Sequence, residues 1–175
     1  QARGAVIETL LNAADLLRLT TPAIASGDQR RDPAFWEVAA HAGLRTAVVN
    51  WWATWPAPDG DEIVITDRAL LRLDTGGELD AEIAPAALYE GLRAMWQTLR
   101  QRAEAAALAE FGSIADADLR AVMVRSAEID WLTSAMALSL ASSPQIGTLD
   151  LLVVYLPGLD IAQHQLLQSS APASV

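Results

Sequence analysis

An aspartate and a histidine near the end of the chain have the clearest potential for chemistry. They are Asp160 and His164, the last acidic and the last basic residue of the segment LDLLVVYLPGLDIAQH. Side chains four residues apart are neighbours on one helix face, so these two can converge on one point if Asp160 caps a helix. A carboxylate and an imidazole are both common zinc ligands. The spacing therefore indicates a metal site; the alternative is a capping aspartate followed by a half-exposed histidine.

The apolar residues before this pair predict the strand that positions it. Residues 149–155 are apolar on both faces, which is typical of a central strand in a parallel sheet. Open α/β sheets bind ligands just beyond the carboxyl ends of their strands, where the pair would lie. Residues 46–52 predict another buried strand, residues 62–66 a short one, and residues 33–43 a helix with Asp32 as its N-cap.

Helical periodicity accounts for much of the remaining sequence. Segments 85–110 and 116–141 predict a pair of long helices joined near Gly112, and residues 5–19 predict a further amphipathic helix. Helices that alternate with buried strands predict the α/β class: three layers, with a mostly parallel sheet, flanking helices and a long helical pair. The length of 175 residues fits one domain or a piece of one.

Composition excludes several classes of function. The formal net charge is -10 and the basic residues are scattered, so no nucleic-acid partner is expected. The chain has no cysteine, which excludes disulfides, thiolate zinc sites and a cysteine nucleophile. No apolar run reaches the roughly 20 residues of a membrane span, so this segment is expected to have no membrane partner. His41 precedes a helix-ending glycine, so we expect a last-turn residue rather than a metal ligand.

Tryptophans cluster at the end of the predicted strand over residues 46–52. Trp52 and Trp55 could form a wall of a substrate pocket at the carboxyl edge of the sheet, or they could simply cover that edge. Between and before them, Asn50 and Thr54 carry an amide and a hydroxyl that could orient a phosphate oxygen. These four are the candidate substrate-binding residues.

Two stretches also carry a family resemblance: YLPGLDIAQH at 155–164 and, upstream, VVNWWATWPA at 48–57 with FWE, AGLR and ITDR around it. The first resembles the strand, Gly-x-Asp turn and histidine that supply two zinc ligands in type I phosphodiesterase and nucleotide pyrophosphatase proteins of the alkaline phosphatase superfamily. The second is similar to an uncharacterised bacterial branch of that superfamily. Both stand in the order found in the family.

The resemblance implies an alkaline phosphatase-like hydrolase of small-molecule phosphate esters. In the family a Thr or Ser attacks phosphorus while two divalent metals, zinc here, stabilise the attacking and leaving oxygens. Asp160 and His164 would bind one of these metals. The nucleophile and the other ligands of the family have no counterpart in this sequence, so no catalytic residue is assigned.

The resemblance further predicts that residues 1–175 are an internal segment of the catalytic domain, with a helical part over 84–142, and that the segment is inactive alone. The alternative is a non-catalytic α/β module that binds a partner with the same fold, because fold does not fix function.

Overall fold

The computed structural model describes residues 25–60 and 62–170. The helix predicted over residues 5–19 lies outside these ranges. The elements in chain order are α1 (Phe35–His41), β1 (Thr46–Val49), β2 (Ile63–Ile65), α2 (Ala69–Thr75), β3 (Ile83–Ala84), α3 (Tyr89–Phe111), α4 (Ala117–Ser142), β4 (Leu151–Val154) and α5 (Gly158–Ser170). The α/β class is therefore confirmed.

The four described strands form one sheet in the order β3-β2-β1-β4. β1 runs parallel to both β2 and β4, and β3 pairs antiparallel with β2, so the sheet is mixed and mostly parallel, as predicted. The prediction that residues 149–155 form a central strand is wrong for the described sheet, because β4 lies at its edge. Apolar residues on both faces of a strand indicate that helices cover it from above and below. They do not indicate whether another strand pairs with each of its two edges.

The sheet is covered on both faces, which gives the predicted three layers. Side chains alternate along each strand, so Val49 and Val48 of β1 point to opposite faces. Val49 belongs to the larger core, which the helical pair α3 and α4 completes. Val48 packs on the other side against Trp36 of α1.

The long helical pair is where the periodic sequence predicted it. Trp96 of α3 and Met136 of α4 are almost completely buried against the sheet. The Asp116 carboxylate caps α4 by accepting a hydrogen bond from the Leu119 amide at 2.9 Å. No helix in the described ranges is long and apolar enough to cross a membrane.

The start of α1 differs from the prediction. The helix begins at Phe35, and Asp32 does not cap it; instead the Glu37 carboxylate reaches back to the Ala34 amide at 2.7 Å. Arg30 pairs with the same carboxylate at 2.6 Å. Burial would raise the pKa of Glu37, but the hydrogen bonds from Arg30 and from the Ala34 amide lower it below its usual range. A charged Glu37 therefore anchors the start of the helix in a way that sequence spacing did not reveal.

Removing the side chain of Met136 tests the core between sheet and helices. Met136 has no exposed surface, so Met136→Ala is expected to lower the free energy of unfolding by about 2–5 kcal/mol. Leu138, on the same helix, is 69% exposed, and Leu138→Ala should change stability by less than about 0.5 kcal/mol. Denaturant unfolding of both variants measures this, and equal effects would contradict the described packing.

Candidate functional site

The carboxyl ends of β1, β2 and β4 meet at one edge of the sheet, and Asn50 joins them. Its backbone amide donates to the Ile65 carbonyl at 2.7 Å, and its side-chain amide donates to the Tyr155 carbonyl at 3.2 Å. Asn50 is buried and has a left-handed backbone, with φ 59°, a conformation that asparagine adopts more readily than most residues. The predicted substrate-binding amide is therefore engaged in holding three strand ends together, although the residue also lines the cavity described below.

The loop after β1 is held by a carboxylate that follows β2. Asp67 accepts hydrogen bonds from the successive backbone amides of Ala53, Thr54 and Trp55, at 3.2–3.3 Å. Ala53 has φ 52°, so the loop includes a conformation that costs an alanine energy. Successive amides that converge in this way can bind an anion, and here the anion is the Asp67 carboxylate. Asp67 thus fixes the path of this loop, which contains Trp51, Trp52 and Trp55 and is called the tryptophan loop below.

Thr54 and Trp55 form hydrogen bonds within the protein. The Thr54 hydroxyl is buried, donates to the Trp51 carbonyl at 2.6 Å and accepts from the Asp67 amide at 3.2 Å. The Trp55 indole nitrogen donates to the Asp80 carbonyl at 2.6 Å. Both residues therefore have internal partners that account for their positions, and their proposed role in binding substrate stays a prediction.

Trp52 behaves differently from these neighbours. It is 60% exposed, and its ring stands edge-on to Tyr155 with the centroids 5.9 Å apart. Of the four candidate substrate-binding residues, Asn50 and Trp52 line the large cavity and Thr54 and Trp55 do not.

This cavity has a volume of about 570 Å³ and opens at the carboxyl edge. Its walls come from the loops after β1, β2 and β4 and from α2, α4 and α5. They include four charged residues that the sequence analysis did not select, namely Asp67, Arg68, Arg72 and Glu82. Asp67 and Arg68 lie in the ITDR stretch directly after β2, so their position at a strand end was the available signal.

Asp160 and His164 lie on α5, close to the end of β4. Asp160 Oδ1 and His164 Nε2 are 3.5 Å apart and both side chains are exposed, so the spacing of four does bring them together. Ile161, in the same helical turn, lines the cavity. The pair therefore occupies the helix stripe beside the one that faces the cavity.

The expected cap of α5 is wrong. The helix begins at Gly158, and Asp160 lies in its first turn. The capping carboxylate is that of Asp130 on α4, which accepts from the Gly158 amide at 3.0 Å. A Cβ on Gly158 would come too close to this carboxylate, so a larger residue there would displace the Asp130 side chain from its present position. Burial raises the pKa of Asp130, and the hydrogen bond from Gly158 opposes this only in part.

The pair offers two side chains of types that bind metal ions, a carboxylate and an imidazole. Within residues 25–60 and 62–170 no group of three or more His, Cys, Asp or Glu side chains is arranged to hold a metal ion. His41, in the last turn of α1, is exposed and its Nδ1 lies 2.6 Å from the Glu37 carbonyl, as a donor. It takes no part at the carboxyl edge.

No protein-family model, curated protein or solved structure matches the chain. The resemblance to the alkaline phosphatase superfamily therefore stays a prediction, and we infer function from the arrangement of side chains at the carboxyl edge.

Removing the Asp67 carboxylate tests its hold on the tryptophan loop. Asp67→Ala leaves three loop amides without their acceptor, and a buried donor without a partner costs about 1–3 kcal/mol. We expect a loss of stability in that range by denaturant unfolding, whereas Asp59→Ala, in the exposed part of the same loop, should be near neutral. Equal free energies of unfolding for the two variants would show that other contacts hold the loop.

The partly buried carboxyl of Asp130 predicts a pH effect on stability. Because its pKa is raised in the folded protein, the fold binds a proton more readily than the unfolded chain does, so its contribution to stability is largest at low pH and falls as the pH rises through the folded-state pKa. Asp130→Asn keeps an oxygen for the Gly158 amide but removes this titration. We therefore compare the free energy of unfolding of the wild type with that of the variant at each pH. The difference, wild type minus variant, should be larger at about pH 4 than at about pH 7. A flat or opposite trend in pH-dependent denaturant unfolding would refute the assignment.

Proposed function

We propose that this domain supplies part of the active site of a metal-dependent phosphoric ester hydrolase, similar to phosphodiesterases and nucleotide pyrophosphatases. Asp160 and His164 would be two ligands of one zinc ion. The observation that supports this is the convergence of the two side chains at the carboxyl edge of a mostly parallel sheet, the edge where such folds bind ligands.

The separation of the two ligand atoms fits an ion between them. Zinc takes carboxylate oxygen and imidazole nitrogen at about 2.0–2.2 Å in tetrahedral geometry, which places two ligand atoms about 3.4 Å apart. The observed 3.5 Å between Asp160 Oδ1 and His164 Nε2 is close to this value and longer than an ordinary hydrogen bond. Both side chains are exposed, so the ion would enter without rearrangement of the core.

Two ligands do not complete a catalytic zinc site, which takes three protein ligands and a water. In our proposal the other ligands and the nucleophile come from outside the described residues. A bound metal would act as a Lewis acid on phosphoryl oxygens. The residues described here would hold the ion from one side and present the cavity beside it to the ester, so the chain alone should hydrolyse no phosphate ester above background.

Zinc binding by the purified chain tests the ligand assignment. We expect weak binding in calorimetry that His164→Ala reduces at least about tenfold, the loss typical even of outer-shell partners of a metal. Thermal stability should be unchanged, because the imidazole is exposed and contributes little packing. Asp160→Asn should lower the zinc affinity by a similar factor.

His41→Ala is the matched control, because His41 is exposed on another helix and away from the proposed ligands. It should leave the zinc affinity intact. Unchanged affinity in His164→Ala, or an equal loss in His41→Ala, would remove the metal site and favour a non-catalytic module.

A further inference from the structure

The cavity at the carboxyl edge is large and mostly apolar. Its volume of about 570 Å³ falls within the roughly 300–1,000 Å³ of small-molecule sites in proteins. Its apolar walls are Leu70, Leu71, Ile129, Tyr155, Pro157 and Ile161. Such walls favour a ligand with an apolar organic body over a small hydrated ion.

Most polar groups of the cavity already have partners in the protein. Arg72 forms an ion pair with Glu82 at 2.7 Å, and Glu82 is nearly buried. The Asp67 carboxylate is used by the amides of the tryptophan loop, and the Asn50 amide by Tyr155. These groups shape the site but leave little charge for a ligand.

Arg68 is the exception. Within residues 25–60 and 62–170 no carboxylate forms an ion pair with it, and its buried Nε has no hydrogen-bond partner. The guanidinium stacks over the Trp55 ring, 3.7 Å from the centroid, which holds the cation in place without neutralising it. A guanidinium that lines the cavity and has no carboxylate partner among the described residues is suited to a phosphate or another oxyanion.

Trp52 stands at the cavity between two residues with a left-handed backbone. Asn50, two residues before it, has φ 59°, and Ala53, directly after it, has φ 52°. The conformation costs an alanine energy, and such strained positions cluster at ligand sites. Asn50 and Ala53 hold an indole that is 60% exposed next to Tyr155. The two rings provide an aromatic surface for a ligand.

We propose that the cavity binds the organic group of an amphipathic phosphate ester, with the apolar body against Trp52, Tyr155 and Leu71 and the anionic group paired with Arg68. The identity of the anion as a phosphate rests on the proposed function. The site itself depends on neither Asp160 nor His164, and it needs no metal.

Calorimetry with phenylphosphonate in buffer containing a chelator tests this proposal. Phenylphosphonate combines an apolar body with a phosphoryl anion and has no ester bond to hydrolyse. Inorganic phosphate lacks the body and benzyl alcohol lacks the charge, so each should bind at least about tenfold more weakly, which is the effect of losing one good interaction. Equal binding of inorganic phosphate would overturn the apolar subsite, and equal binding of benzyl alcohol would overturn the role of charge.

Two pairs of variants locate the site. Arg68→Gln should weaken phenylphosphonate binding about tenfold or more, while Arg102→Gln, exposed on α3, should not. Leu71→Glu places a negative charge in the cavity and should also weaken binding; Leu138→Glu is its control, because the two leucines are 70% and 69% exposed.

Since Leu71 is exposed, its variant should fold even if Arg68→Gln does not. Binding that survives Leu71→Glu, or no detectable binding of phenylphosphonate by wild type, would overturn the proposal. Because zinc is absent from this experiment, a failure of the metal site would not affect its outcome.

Discussion

The structure at the carboxyl edge depends on one partly buried interaction, in which the Asp67 carboxylate accepts hydrogen bonds from three successive loop amides. Asp67 follows β2, whereas the amides belong to the loop after β1, so the contact ties together the ends of two neighbouring strands. Together with the hydrogen bond from the Thr54 hydroxyl to the Trp51 carbonyl, it holds the left-handed turn at Ala53. The exposed position of Trp52 and the stacking of Trp55 on Arg68 follow from the path that this loop takes. A structural carboxylate thus creates the conditions for a binding surface.

The two proposed binding sites lie side by side at this edge. α5 presents the oxygen and nitrogen of Asp160 and His164 to solvent, where a metal ion could bind. The cavity next to it offers aromatic and aliphatic walls and the guanidinium of Arg68, which no carboxylate of residues 25–60 and 62–170 pairs with. A rigid sheet that carries variable loops is a common way to bring such groups together. The two features suit the two ends of a phosphate ester, and both are fixed by the same strand ends.

The sequence predicted what local patterns determine. The pair α3 and α4 follows from its helical period, and the convergence of Asp160 with His164 follows from a spacing of four. The misses involve partners distant in the chain. The cap of α5 comes from Asp130, 28 residues before Gly158. The hydroxyl of Thr54 contacts the carboxylate of Asp67, 13 residues away, instead of a substrate. The edge position of β4 depends on the order of strands, which no apolar pattern encodes. The availability of Arg68 among the described residues likewise depends on tertiary contacts, because Glu82 pairs with Arg72 and Asp67 binds the amides of the loop after β1.

The central claim is that a metal ion binds at the carboxyl edge of this sheet between Asp160 and His164. Anomalous diffraction at the zinc absorption edge, from crystals of the chain grown with zinc, locates the ion directly. Our account predicts a peak within about 2.0–2.2 Å of both Asp160 Oδ1 and His164 Nε2. A zinc peak bound elsewhere on the chain, for example at His41, with none between Asp160 and His164, would contradict it.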